Sequence, residues 1–487
     1  MIKDYIKKII SYVMVVVMIT ATFIGAGLFN NSTSVEAASL KLNKKKITLN
    51  VGDEFKLKVN GLASDQKVTF KSSKPKVCKV NNNGNLTPKK KGKAVITAVS
   101  GGKKLKCKVT VRICFTISKK TKLLDVGKNK YSSYSSAFVN KYTYDWYLFR
   151  SHLEKLENDG GGTIIVKKGT YNIPSALCIP SNVNIIFNKG AKINKTDNTH
   201  TNKFAASKTL FELVPAAKFK TKGWAKKYNG VKNVKLIGKG NNVINMNYYY
   251  QGVAVTIFHS KNICVSGITF KNINESHSIE LDAGKNIEIS NCKFSGQKGS
   301  NYLREAINLD IPDGTVKLWA ANDQTNNDGV VIKDCDFKDL YVGVGSHFYS
   351  YKKSTKDQIY HNDILVENCT FKNMKKFGVQ ALNWANSTIK GCTFDGIGNS
   401  KNAGQGVAGR GSQKLDVIEN TFKDCKGTDK EKGFGIKVVD YQIKKLPRTY
   451  PKFINDDPEK EEEYFEKNNT FAGCDENVEC KIIIKKD

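Results

Sequence analysis

Between residues 253 and 439, apolar and polar positions alternate in short runs such as Ser278-Ile-Glu-Leu-Asp282, Asn286-Ile-Glu-Ile-Ser290 and Asn386-Ser-Thr-Ile-Lys390. A period of two is that of a β-strand with one buried face. One motif follows these runs again and again: Gly267-Ile-Thr-Phe270, Asn291-Cys-Lys-Phe294, Asp334-Cys-Asp-Phe337, Asn368-Cys-Thr-Phe371, Gly391-Cys-Thr-Phe394, Glu419-Asn-Thr-Phe422 and Asn468-Asn-Thr-Phe471. Successive Phe residues lie 24, 43, 34, 23, 28 and 49 positions apart. A minimum repeat near 23 residues with insertions of variable length marks a solenoid. Two or three short strands per repeat, with no helical period, predict a right-handed parallel β-helix.

The repeat also accounts for several cysteines. Cys292, Cys335, Cys369 and Cys392 occupy one position of the motif, where Asn420 and Asn469 fall in later copies. Equivalent positions on neighbouring coils stack at ~4.8 Å, which predicts an internal ladder of small thiols handing over to asparagine. Metal sites favour paired Cys or Cys/His spacing, so these thiols are expected to act as small buried apolar groups.

Upstream, the pattern changes twice. Residues 1–37 read as a secretory signal: Lys3, Lys7 and Lys8, then an uncharged run from Ile9 to Phe29, then Val35-Glu-Ala37 as a cleavage site. The apolar run is also long enough to cross a bilayer as an uncleaved anchor, the one membrane contact expected. Residues 40–113 alternate short strands with turns at Gly52-Asp53 and Asn83-Gly84, as in a small β-sandwich. The run SSKPKVCKVNNNGNLTPKKKGKAVITA, followed by KKLKCKVTV, resembles the bacterial immunoglobulin-like group 2 domain. That resemblance implies a bacterial spacer or adhesion module. Cys78 and Cys107 within it are candidates for a disulfide outside the cell.

Residues 114–144 show little periodicity and read as a linker. The β-helix is expected over 145–487, beginning with a capping helix. Asp145 is its candidate N-cap, Trp146, Phe149, Leu153 and Leu156 form one face, and Gly160-Gly-Gly162 is the stop. Such a helix would cover the open sheet edge at the end of a solenoid. The segments GGGTIIVKKGTY, IPSNVNIIFNKGAKI and VKNVKLIGKGNNVI resemble the first coils of the pectate-lyase-like superfamily. This resemblance implies an all-β fold, a right-handed parallel β-helix, that hosts lyases, hydrolases, epimerases and adhesins alike. The acidic run 456–463 is expected to be a solvated loop closing the C-terminal end.

Aligning the first strand of each coil puts Ile257, Leu281, Leu309, Ser346, Ala381, Gly409 and Val438 inward. One outward column then reads Phe258, Asp282, Asp310, His347, Leu382, Arg410 and Val439. A second, two residues earlier, reads Thr256, Glu280, Asn308, Gly345, Gln380, Ala408 and Lys437. Three carboxylates, a His and an Arg on one face, beside the large insertions at 295–303, 312–328 and 348–360, form a candidate solvent-facing groove.

Two reactions suit those residue types. In a glycoside hydrolase, Asp282 and Asp310, ~5 Å apart on adjacent strands, would be an acid and base whose proximity raises one pKa. His347 would orient water. Glu280, Asn308, Gln380, Lys437 and Trp384 would line the substrate, and Arg410 would grip a uronate. Asn308-Leu-Asp310 and Gly345-Ser-His347 resemble the Asn-Thr-Asp and Gly-His-Gly motifs of polygalacturonases, with the His displaced by one residue and no Asp-Asp doublet. In a lyase, Glu280, Asp282 and Asp310 would hold Ca²⁺, with Arg410, Lys437 or the nearer Arg304 as base. Hydrolysis, which needs no cofactor, is the first expectation. Tyr248-Tyr-Tyr250 and Trp319 are further candidates for stacking on sugar rings.

Composition narrows the partner. The formal charge is +34, which implies an anionic one. Export and the lack of a recognition motif argue against nucleic acid. Acidic polysaccharide is expected as substrate, with cell-envelope polyanions as candidate partners of the immunoglobulin-like domain, outside the cell or at its surface. A non-catalytic adhesin holding an acidic glycan is the third alternative.

Overall fold

The computed structural model describes residues 39–124, 138–299, 304–313, 317–346, 350–442 and 447–482; the expected signal segment and His347 lie outside them. Two bodies follow one another. The first is a sandwich with a four-stranded sheet of Lys46–Leu49, Lys103–Val111, Gly92–Ser100 and Thr69–Ser72. Its facing sheet has the three strands Phe55–Lys56, Asn85–Pro88 and Cys78–Val80. Alternate residues point inward, so that Leu49, Leu57, Leu86, Ile96 and Val109 form its core. Cys78 and Cys107 are both buried there as free thiols, and burial pushes the Cys78 thiol up to about 11.

The second body is the parallel β-helix, with three ten-stranded parallel sheets running side by side. The first sheet starts at Cys114–Ile117, the second at Gly169–Ile173 and the third at Leu177–Cys178. The repeated Phe side chains of the second sheet stack inside it from Phe270 to Phe471, with centroids 4.7 to 5.1 Å apart and planes within 11°. The thiol ladder forms at the corner before that sheet. The backbone N–H of Cys292 meets Sγ of Cys335 at 3.4 Å, and that of Cys369 meets Sγ of Cys392 at 3.4 Å. Asn420 then accepts from the Cys392 N–H at 2.8 Å, and Asn469 from the Asn420 N–H at 2.9 Å. Asparagine takes over because its amide fills the same slot and satisfies the corner backbone.

Three expectations are corrected. The segment after residue 113 is not all linker, since Cys114–Ile117 pairs in parallel with Gly162–Val166 and starts the first sheet. The capping helix α1 (Tyr144–Asn158) has Thr143 at its N-cap. Asp145 instead binds the Lys119 ammonium at 2.6 Å and the Asn172 N–H at 2.8 Å, and α1 is buried on nearly every side. The acidic run is a second helix, α2 (Pro458–Asn468), capped by Asp457, which accepts from the Lys460 N–H. The buried Glu461 faces inward and accepts the N–H groups of Ile454 and Asn455.

Candidate functional site

The outer face of the third sheet has the register expected from the repeat. Phe258, Asp282 and Asp310 are paired neighbours on successive strands, as are Thr256, Glu280, Asn308, Gly345, Gln380, Ala408 and Lys437. Leu382, Arg410 and Val439 continue the first column. Asp282 and Asp310 therefore lie on adjacent rungs, and Arg410 lies three rungs beyond Asp310, ~14 Å along the axis.

This face is not the open groove expected. Asp282 is 3% exposed, Asp310 is 6%, and Asn308 and Gln380 are buried. The insertions fold over its N-terminal part. Segment 223–225 bonds to 318–321 through main-chain groups, and Trp319 packs on Phe258 and donates to Glu212 at 3.3 Å. Lys317 pairs with the same carboxylate at 3.2 Å. Trp319 is thus a cover and is not available for stacking. Trp384 is also corrected: it points into the core, and its indole N–H donates to Ser346 Oγ at 3.1 Å. The reason is its place at the start of Trp384–Lys390, on the inner side of the corner leading into the first sheet.

Burial sets the chemistry of the pair. Burial first, and then the negative charges of Glu280, Asp310 and Asp313, push the Asp282 carboxyl well above the usual carboxylate range. One Asp282 oxygen has no hydrogen-bond partner among the described residues. The Asp282 carboxyl is accordingly shifted toward its neutral form, beside a second carboxyl group. Gln380 donates to the Ser346 carbonyl at 2.9 Å, and Asn308 donates to Glu305 at 3.2 Å. Arg410 lies between the rings of Phe377 and Tyr441, 5.1 Å from each. Lys437 is held by Glu479 at 2.5 Å, an ion pair that ties up the amine a lyase base would need.

Among the described residues no three His, Cys, Asp or Glu side chains group as metal ligands. Burial and like charge raise the Asp282 pKa, a direction that works against a hard anionic donor in the absence of a cation.

Two residues escaped the sequence reading. Glu212 extends the Thr256–Glu280 column one rung earlier, but the long insertion after its strand hid the repeat. Asn327, at the turn out of the third sheet, donates to the carbonyls of Leu281 at 3.2 Å and Asp310 at 3.0 Å, and accepts from the Gly284 N–H. It fastens together the ends of the two strands that carry the acids, and no pattern in the sequence announces it.

Comparison with known proteins agrees with this architecture. Residues 36–111 match the family model of the bacterial Ig-like domain (group 2), and residues 228–398 and 319–446 match that of the right handed beta helix region. The chain is 24% identical over 289 residues to the plasmin and fibronectin-binding protein A of Streptococcus pneumoniae. That match covers 55% of this chain, which spans only 38% of the relative's length. Among solved structures, PfbA, a surface adhesin of Streptococcus pneumoniae, is similar at 18% identity, with a TM-score of 0.48 over 63% of this chain and 72% of that one. The mannuronan C-5 epimerase AlgE6 A-module of Azotobacter vinelandii follows at 11%, with a TM-score of 0.43 over 69% and 92%. The tailspike protein of E. coli bacteriophage HK620, in complex with a pentasaccharide, has 15% identity and a TM-score of 0.43 over 70% and 60%. The chain thus joins a segment that matches the bacterial Ig-like domain (group 2) to a parallel β-helix that matches the right handed beta helix region.

Proposed function

We propose that this protein works outside the cell or at its surface as a glycoside hydrolase on an acidic polysaccharide, with Asp282 as acid and Asp310 as its partner carboxylate. The observation that carries this reading is the Asp282–Asp310 pair: two buried carboxyl groups in register on adjacent strands, the first with its pKa raised by burial and like charge. Paired groups pushed to different protonation states divide acid and base work between them.

In the proposed step, Asp282 passes its proton to the glycosidic oxygen as the bond from that oxygen to the anomeric carbon breaks. Asp310 either deprotonates the water that adds to that carbon or attacks the carbon itself, to be released later by water. The anomeric configuration of the first product tells these apart. Glu280, Asn308 and Gln380 flank the reacting centre on the same face, and Arg410 is the cation for a uronate further along. His347 remains the proposed water-orienting residue.

A second reading is favoured by the similarity to the plasmin and fibronectin-binding protein A: a surface adhesin that holds its partner without cleaving it. The two are separated by incubating the protein with polygalacturonate and other uronate-containing glycans, with and without EDTA. Reducing ends and the ultraviolet absorbance of unsaturated uronates are followed together. Reducing ends that persist in EDTA without that absorbance support hydrolysis. Absorbance abolished by EDTA would assign a calcium lyase instead. Binding with neither signal would assign the adhesin.

A further inference from the structure

A second feature lies elsewhere on the β-helix, at the corner between the second and third sheets near its N-terminal end. Here a cavity of about 530 Å³ is lined by Lys195, Thr196, Lys208, Tyr248, Tyr249 and Tyr250. The Asp282–Asp310 pair sits at the opposite end of the third-sheet strands, where Ile279–Asp282 and Glu305–Asp310 finish.

The three tyrosines sit on a turn of the β-helix. Asn247, Tyr248 and Gln251 all have positive φ, at 50°, 54° and 53°, a conformation that side chains other than Gly and Asn rarely adopt. The same conformation recurs at other turns of the β-helix, among them Asn272, Asn286 and Asn368, and it persists where the surroundings fix it. Here it is fixed by Asn247, whose amide donates to the Lys195 carbonyl at 2.7 Å, and by main-chain bonds from Tyr248 and Gln251 to the next coil. Tyr249 covers the buried Lys195 ammonium, 4.0 Å from its ring centroid. Tyr250 is left 60% exposed, a large apolar face turned to water. Lys298 lies over the Tyr248 ring at 4.1 Å, and Lys208 is exposed beside the turn, touching Gln251 at 2.6 Å. The Thr196 hydroxyl, buried at the cavity, has no hydrogen-bond partner among the described residues.

We infer that this cavity is a second glycan site, taking a short acidic oligosaccharide: the Tyr250 face stacks on a sugar ring, Lys208 and Lys298 meet its carboxylates, and Thr196 bonds a ring hydroxyl. The chemistry follows from the parts. An amphipathic ring suits the apolar face of a sugar, ammonium groups select an anion, and the lone hydroxyl gains the partner it lacks. Asp197 at the rim repels a carboxylate on that side and so orients the ligand. The inference rests on the acidic-glycan part of the function proposed above but not on cleavage. It supplies a holding site that would keep a polymer on the molecule.

The test is titration calorimetry of the full chain carrying Asp282→Asn, which keeps ligand intact, with tetragalacturonate and tetraguluronate. Tyr250→Ala is expected to weaken the tighter of the two by about tenfold. Lys208→Ala and Lys298→Ala should each weaken it several-fold, and the carboxyl-reduced ligand should bind correspondingly worse. Because Tyr250 is exposed, its variant should melt with the parent. Unchanged affinity in Tyr250→Ala, equal affinity for the carboxyl-reduced ligand, or no binding of either probe would each overturn the site. If the wild type cleaves nothing but Tyr250→Ala still loses binding, the catalytic proposal falls and this one stands. Cleavage by wild type with unchanged binding in Tyr250→Ala removes the second site and leaves the catalytic proposal in place.

Discussion

Two buried titratable residues beside the third sheet oppose each other in their dependence on pH. Asp282 has a raised folded-state pKa, so its contribution to stability is fully present below the unfolded value near 4. It is lost as pH rises through the folded value. Asp282→Asn removes that penalty and is expected to raise the melting temperature by a few degrees at neutral pH, measurable by calorimetry. A carboxylate that merely held the fold together would show the opposite sign. His361 runs the other way. It accepts from the Asn327 N–H at 3.1 Å through Nδ1, and burial drives its pKa down to about 3. Its stability contribution is complete above about pH 6.5 and is lost as pH falls towards the folded value, by at most about 1.4 kcal/mol per unit. Urea unfolding of His361→Asn should show a shallower loss of stability than wild type across that window. Equal slopes would remove His361 from the acid sensitivity.

At the scale of the coil, stability comes from repetition. Each stacked Phe pair adds roughly 0.5–1.5 kcal/mol beyond its area burial, and Phe337 stacks on Phe294 and Phe371 at 4.8 Å on both sides. Phe337→Ala should cost about 3–5 kcal/mol in denaturant unfolding, more than the same change at Phe471, which ends the ladder. The register of the third sheet was legible for the same reason that the ladder exists. A fixed strand spacing converts strand alignment into spatial neighbourhood, so Asp282 and Asp310 could be paired by aligning the first strand of each coil. The exposure of that sheet was not legible. Whether Trp319 and Lys317 turn back over Glu212 depends on contacts of segment 317–321 with that strand residue and with segment 223–225, and these have no period. Trp384 was misread because a corner residue lies outside the alternation that sorts strand residues into inner and outer faces. Helix α2 was missed because its acidic surface hides the Asp457-Pro458 start signal and the inward-facing Glu461.

At the scale of the whole molecule, the Ig-like domain is docked on the first coils of the β-helix. Asn50 donates to the Asn182 carbonyl at 2.8 Å, and Thr163 donates to that of Val51 at 2.8 Å. Asp53 accepts from Asn184 at 3.0 Å and pairs with Lys235 at 2.9 Å. Gly52 allows this approach, since a Cβ there would lie 2.7 Å from the Ile186 side chain. Asp53→Ala removes the shared acceptor, and faster hydrogen exchange is expected at residues 50–53 while the two cores keep their protection. Unchanged exchange would show that strand pairing at Cys114–Ile117 alone fixes the domain. The charge of +34 favours polyanions across the molecule. The proposed cleavage, however, turns on two carboxyl groups. The deciding quantity is the rate of reducing-end release from a uronate polymer by wild type and by Asp282→Asn at equal folded concentration. Release by wild type and a loss of about 10²–10⁴-fold in the variant are expected; equal rates, or no release by wild type on any uronate polymer, would contradict the assignment of Asp282 as the acid.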